Sequence, residues 1–169
     1  MELLENATAN VPEFSLNGRL MQAKVVSCYD GDTFYAVLNL DGSLWKFNCR
    51  MAGYDTPEMK PAANKPGREI EKARAMKARQ ALIMHVCDGG ITMDRSYTKG
   101  ELDGLLAKNK KIITIYCKEF DKYGRLLVEV PLKVEDAATL TLNDWMVEKG
   151  YGYKYNGGTK DTAFGVSTT

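Results

Sequence analysis

Residues 45–58 read Trp45-Lys46-Phe47-Asn48-Cys49-Arg50-Met51-Ala52-Gly53-Tyr54-Asp55-Thr56-Pro57-Glu58, and the rest of the chain is read outward from them. Trp45, Phe47, Cys49 and Met51 alternate with Lys46, Asn48 and Arg50, the period of two that marks a half-buried strand. That alternation sends Arg50 out on the face opposite the apolar set. Pro57 has no backbone donor and biases Thr56 towards extended geometry, so the strand gives way to a fixed loop carrying Asp55 and Glu58. A cation and two carboxylates therefore stand on or beside one rigid edge, which is the equipment for holding a metal ion next to a phosphate. Each residue alone has a plainer reading. An exposed arginine is usually just solvated, and Asp55 with Glu58 three positions on would serve equally as the capped start of a helix. The partners supplied elsewhere in the chain decide between the two.

Upstream, Met21, Ala23 and Val25 alternate with Gln22 and Lys24, predicting a first strand from Arg19 to Cys28. Asp30-Gly31-Asp32-Thr33 follows as a tight turn in which Gly31 is expected to supply permissive backbone geometry. Phe34, Ala36, Leu38 and Leu40 alternate with polar or smaller residues in a second strand, and Asp41-Gly42 is a strong hairpin signal. The Asp32 turn and the Asp55 loop thus belong to the ends of strands in one meander, a topology able to bring them together.

Downstream, Pro61 and Pro66 mark a connector, and from Gly67 to about Cys87 the pattern turns helical, with Ala75, Ala78, Leu82 and Val86 on one stripe. The charged residues of this helix, Arg79 among them, read as a solvated face rather than a nucleic-acid groove. His85, the single histidine, has no second histidine for a metal pair and reads as structural or exposed. Asp88-Gly89-Gly90 stops the helix. Residues 89–110 read as an insertion with a strand-like piece at Ile91 to Met93 and a short helix around Leu102 to Ala107. Strands are expected at Ile112 to Cys117 and Arg125 to Val130, joined through Asp121-Lys122-Tyr123-Gly124-Arg125, where Gly124 closes the hairpin. Thr141 to Lys149 reads as a short amphipathic helix. Tyr151-Gly152-Tyr153-Lys154-Tyr155 interleaves aromatics with a base, suited to stacking on a nucleobase but equally to edge-strand packing.

Composition sets the outer limits. A chain of 169 residues suits one domain with a sizeable core, and 44% hydrophobic with 27% charged residues is ordinary for a globular protein. No apolar run approaches the roughly 20 residues of a membrane span. Met1 to Pro12 carries no apolar leader, so an intracellular protein is expected. The four cysteines form no C-x-x-C pair and read as reduced packing residues, with a disulfide as the lesser alternative. A net charge of +1 argues against a protein that coats nucleic acid, and confines any phosphate-binding surface to a local patch.

Four motifs in order, Asp30–Thr33, Arg50–Glu58, Asp121–Arg125 and Asn143–Gly150, resemble the signatures of the staphylococcal nuclease (thermonuclease) family. The resemblance spans residues 19–155 with a gap in the middle. It implies an α+β fold, a five-stranded OB-type β-barrel with packed helices, bounded by a flexible arm at 1–14 and a flexible tail at 156–169. The domain would then run over 15–155, with the insertion at about 89–110. The implied activity is calcium-dependent hydrolysis of phosphodiester bonds in DNA and RNA, giving 3'-phosphate and 5'-hydroxyl ends, by a monomer with no membrane partner. By resemblance, Asp32 and Asp55 are the metal carboxylates and the Thr56 carbonyl is a further ligand. Glu58 stands where the water-activating residue stands, Arg50 and Arg125 where the two phosphate-binding arginines stand, and Lys122 and Tyr123 neighbour the nucleotide phosphates. The base-stacking tyrosine is Tyr153 or Tyr155. Two departures bear on substrate positioning: the insertion is longer than the family's connection there, and the family's C-terminal helix is absent or replaced by the tail. The alternative is a non-catalytic module of the same fold that binds nucleic acid or a protein. Such modules typically lose the acidic and arginine positions that this chain keeps. A plain single-strand-binding barrel would give no reason for the carboxylates.

Overall fold

The computed structural model describes residues 1–132, 140–155 and 157. Alternation turns into strands where it was expected: β1 Leu20–Cys28, β2 Thr33–Leu40 and β3 Ser43–Met51 form the antiparallel meander. Asp41 and Gly42, at φ 50° and 88°, make the tight β2–β3 turn, with the Gly42 N–H donating to Asn39 Oδ1 at 2.9 Å. A register shift between Val25 and Ser27 in β1 turns Cys28, rather than Ser27, into the core.

Two further strands of this sheet, β5 Ile113–Phe120 and β6 Leu126–Glu129, close it in the order β1-β2-β3-β6-β5. Closure uses one parallel pairing, Cys49 opposite Leu126 and Arg50 opposite Leu127. The result is α+β: a closed mixed barrel of five strands with four helices among the described residues. Phe34, Ala36, Leu38, Cys49, Met51, Ile115, Leu126 and Val128 fill its interior. All four cysteines are free and buried, as packing residues should be.

A second, two-stranded sheet pairs β4 Tyr54–Asp55 with β7 Tyr153–Lys154. Of the helices, α1 Glu2–Glu5 is a single turn in a wholly exposed segment, and α2 Arg68–Val86 lays Ala78, Leu82, Ile83 and Val86 against the barrel. α3 Lys99–Lys108 starts on a capping box between Thr98 and Glu101, and α4 Leu142–Glu148 starts on Thr141, whose side chain accepts from the Asp144 N–H. Among the described residues no helix is long and apolar enough to cross a membrane. The tail expected at 156–169 lies outside the described residues apart from Gly157.

Four local expectations are corrected. Trp45 is 58% exposed, because the first half of β3 overhangs the barrel and only Cys49 and Met51 reach its core. Ile91 to Met93 is not a strand: Ile91 is buried as an irregular anchor, and Gln80 Nε2 donates to the Thr92 and Arg95 carbonyls, giving this segment side-chain rather than sheet partners. Arg79, placed by its charge on a solvated face, is 4% exposed, with Nε donating to the Cys28 carbonyl and Nη2 paired with Asp103 at 2.7 Å. Gly31 does not use left-handed geometry. Its role is close approach, since a Cβ there would stand 2.7 Å from Ala78 Cβ and 2.8 Å from Thr56 Cγ2.

Candidate active site

The Asp30–Thr33 turn is closed by its own first residue, with Asp30 Oδ1 accepting the Asp32 N–H at 3.0 Å, and by Tyr29 N–H donating to the Thr33 carbonyl. α2 packs so tightly on this turn that the Asp32 side chain is held towards the 54–58 loop, where it is 3% exposed. The Tyr54 hydroxyl, buried, donates to the Gly31 carbonyl at 2.7 Å and fastens loop to turn. The β2–β3 register puts Thr33 opposite Arg50, and so carries Arg50 to the Asp32 carboxylate.

The two segments meet. Arg50 Nη1 lies 2.8 Å from Asp32 Oδ1 and Nη2 3.5 Å from Asp55 Oδ1, with Nη2 also donating to the Tyr54 carbonyl. Thr56 donates both its N–H and its hydroxyl to Asp32 Oδ2 at 3.1 Å, and Thr33 Oγ1 donates to Asp32 Oδ1. Asp32 and Asp55 thus face one point from opposite sides, with the guanidinium between them. Asn143 of α4 steadies the β3 end, accepting the Val130 N–H and donating to the Ala52 and Val128 carbonyls.

Arg125 comes from the β5–β6 hairpin. Asp121 receives its N–H at 2.9 Å and its Nε at 2.7 Å, and the Tyr123 N–H as well, while Gly124 at φ 78° makes the turn. The parallel β3–β6 pairing sets this hairpin beside Arg50. A cleft of about 490 Å³ is lined by Asp32, Arg50, Asp55, Thr56, Glu58, Tyr123 and Arg125 together, with Asp30, Tyr29, Tyr35 and Tyr155 among its other walls. Lys122 lines an adjoining hollow of about 790 Å³ that shares Arg50, Tyr123, Arg125 and Tyr155. The eight residues singled out in the sequence therefore stand around one continuous depression.

Its electrostatics are divided. Burial pushes the Asp32 carboxyl up, but the Arg50 guanidinium and hydrogen bonds from its neighbours outweigh this and hold it below the ordinary carboxylate value. Asp30 goes the other way: burial, with the Asp32 carboxylate beside it, pushes it up to about 7. Loss of hydration would lower Arg50, yet Asp32 and Asp55 keep it firmly charged. On the opposite wall the Tyr123 ring, 72% exposed, is approached by Lys122 Nζ at 5.2 Å and Arg125 Cζ at 5.3 Å.

Two late tyrosines separate by position. Tyr153 turns its hydroxyl to Asp55 Oδ2 at 3.4 Å, whereas the Tyr155 ring lies 6.0 Å from Arg50 Cζ and lines both hollows. Sequence reasoning missed Asp30, Tyr54, Glu71 and Asn143. Glu71 of α2 accepts the Glu58 N–H at 3.3 Å and pairs with Lys65 at 2.6 Å, anchoring the loop that carries Glu58. A polar residue on a helix stripe gives no sequence signal of such a partner. Asp30 and Tyr54 sat within quoted motifs without a role. His85 stands away from the cleft, edge-on to Trp145 with ring centroids 4.3 Å apart, a packing residue.

The donor set offered by the Asp32–Asp55 pair and the Thr56 carbonyl is oxygen only, which suits a hard cation that retains several waters. Among the described residues no three His, Cys, Asp or Glu side chains converge as a ready-made cage. Water would have to complete any coordination. The fold and cleft define a class: an α+β closed-barrel protein with a paired carboxylate and arginine centre at the barrel rim. No protein-family model matches the chain, and no curated protein matches it.

Proposed function

We propose that the protein is a calcium-dependent nuclease of the staphylococcal nuclease type, with an OB-type barrel, cleaving phosphodiester bonds of DNA and RNA by in-line attack of water. The observation that carries the reading is the convergence of Asp32 and Asp55 on Arg50 at 2.8 and 3.5 Å, in a cleft that also holds Glu58 and Arg125. A structural ion pair needs neither the second arginine nor an exposed carboxylate beside it. The donor chemistry fits the cation that the resemblance implies, with Asp32, Asp55 and the Thr56 carbonyl as its holders. Bound there, calcium would polarise a phosphoryl oxygen and offset the negative charge of the substrate.

The chain's own residues supply the rest. Arg50 neutralises the two carboxylates; once that role is taken over, its Nη groups are available to phosphate oxygens. Arg125, oriented by Asp121, presents its remaining donors from the other wall. Glu58 is exposed at the cleft edge on a loop anchored by Glu71, and aligns the attacking water and takes its proton. The paired guanidinium groups stabilise the charge that grows at phosphorus, and the 5'-oxygen departs, leaving a 3'-phosphate. Tyr123 and Lys122 border the neighbouring phosphate, and Tyr155, which lines the cleft, is the better placed of the two late tyrosines to meet a base.

The test is cleavage of single-stranded DNA by the purified chain in calcium and in chelator, with Glu58→Gln and Arg125→Gly beside it. Loss of either residue should lower kcat about 100-fold, roughly 3 kcal/mol of barrier, with little change in Tm. Activity that survives chelation, or that both variants retain in full, overturns the assignment. A non-catalytic binding module would show no cleavage in any arm.

A further inference from the structure

The insertion does more than lengthen a connection. α3 is fixed to the barrel by buried polar side chains: Arg79 bridges the Cys28 carbonyl and Asp103, and Asn109 donates to the Val25 and Val86 carbonyls while accepting the Asp88 and Lys111 N–H groups. Between α3, α2 and the end of β1 lies a groove of about 700 Å³, within the range of small-ligand sites. Its floor is apolar, with Val26, Met76, Leu102 and Leu106. Its charged lining is five cations to one carboxylate, Lys60, Arg68, Lys72, Arg79 and Lys99 against Asp103. Arg79 and Lys99 are spent on Asp103, and Arg68 on Glu69. Lys60 and Lys72 are exposed and have no carboxylate within ion-pair distance among the described residues.

The groove is continuous with the cleft, because Tyr29 and Tyr35 line both. They are 58% and 38% exposed, an aromatic ledge at the junction. An apolar floor, exposed rings and uncompensated lysines in one trough match a polyanion with flat apolar faces. A duplex keeps its bases stacked inside and cannot offer them to such a floor.

We propose that this groove is a second substrate subsite, which holds nucleotides flanking the scissile phosphate in a single strand. Tyr29 and Tyr35 stack the bases that pass from cleft to groove, and Lys60 and Lys72 take the phosphates beyond them. The inference rests on the nuclease reading for what occupies the cleft, and it makes the insertion the source of a preference for single strands.

The experiment uses the full chain and the double variant Lys60→Ala/Lys72→Ala. Two substrates are compared in calcium: a 4-nitrophenyl ester of thymidine phosphate, which fills only the cleft, and a single-stranded oligothymidylate of about twelve nucleotides. The double variant should raise KM for the oligonucleotide about tenfold and leave its kcat and the cleavage of the small ester unchanged. The slope of log KM against log salt should become shallower by about two, one for each lost phosphate contact. An oligonucleotide KM and salt slope equal to wild type, or equal losses on both substrates, overturns the subsite and leaves the nuclease reading standing. If wild type cleaves neither substrate, the nuclease reading fails instead. Fluorescence anisotropy of the labelled oligonucleotide then decides the groove separately: binding weakened about tenfold in the double variant supports it, and absent or unaltered binding overturns it.

Discussion

Replacing Gly31 by alanine tests whether the Asp32 turn is held in place by the close seat of α2. The added Cβ would lie 2.7 Å from Ala78 Cβ, 2.8 Å from Thr56 Cγ2 and 3.1 Å from the Ala78 carbonyl carbon, and ordinary contact begins at 3.4 Å. The shortfall is 3.4 − 2.7 = 0.7 Å against helix atoms that cannot swing aside, so turn and helix must part. Overpacking of this kind costs about 1–3 kcal/mol. In a domain of this size each kcal/mol moves Tm by about 2–4 °C, which puts the expected loss at about 2–12 °C. The same displacement would stretch the two Thr56 bonds to Asp32, now 3.1 Å, beyond hydrogen-bonding range. Activity should therefore fall further than stability, by about 10- to 100-fold, because misplacing a catalytic group by about 1 Å costs that order. Calorimetry with a calcium-dependent cleavage assay on the same preparation reads both. An alanine variant that melts within a degree of wild type with full activity would refute the claim that Gly31 is kept for close approach.

Three other perturbations follow from the same structure. Gly104→Ala, in the exposed middle of α3 with no atom within 4 Å of the new Cβ, should stabilise by about 0.5–1 kcal/mol and raise Tm in the same calorimeter. Asn143→Ala removes the partner of the Val130 N–H and the Ala52 carbonyl; the loss should be about 2–4 kcal/mol, seen as a lower urea midpoint at unchanged m-value. Asp103 is held below the ordinary carboxylate value by its hydrogen bond from Lys99 and by Arg79, outweighing its desolvation. Its contribution is therefore complete above the unfolded value, from about pH 5 upward, and is lost as pH falls through the folded value. Urea melts of wild type and Asp103→Asn should differ at pH 7 and converge in acid; a gap that stays constant to low pH would remove Asp103 from the account.

Much of the cleft was legible because its residues sit where local chemistry speaks. The alternation ending at Arg50, the Asp41-Gly42 hairpin and the Pro57 loop are short-range patterns, and the strands and turns they specify form here. The residues that hold the cleft together were harder to read. Glu71, Tyr54 and Asn143 look in the sequence like an exposed helix acid, an ordinary core aromatic and a surface amide. Each becomes specific only when its partner 13, 23 or 91 positions away is in place.

The sequence by itself determined the meander, the long helix and the residue types available at the strand ends, since period and turn chemistry act over a few residues. Only the tertiary structure decided that β3 pairs in parallel with β6, that Arg79 and Asn109 are buried to seat α3, and that Gly31 is a matter of space rather than backbone angle. Those outcomes depend on which distant surfaces meet. A local pattern carries no record of the desolvated partners and the closest neighbours that a closed barrel brings together.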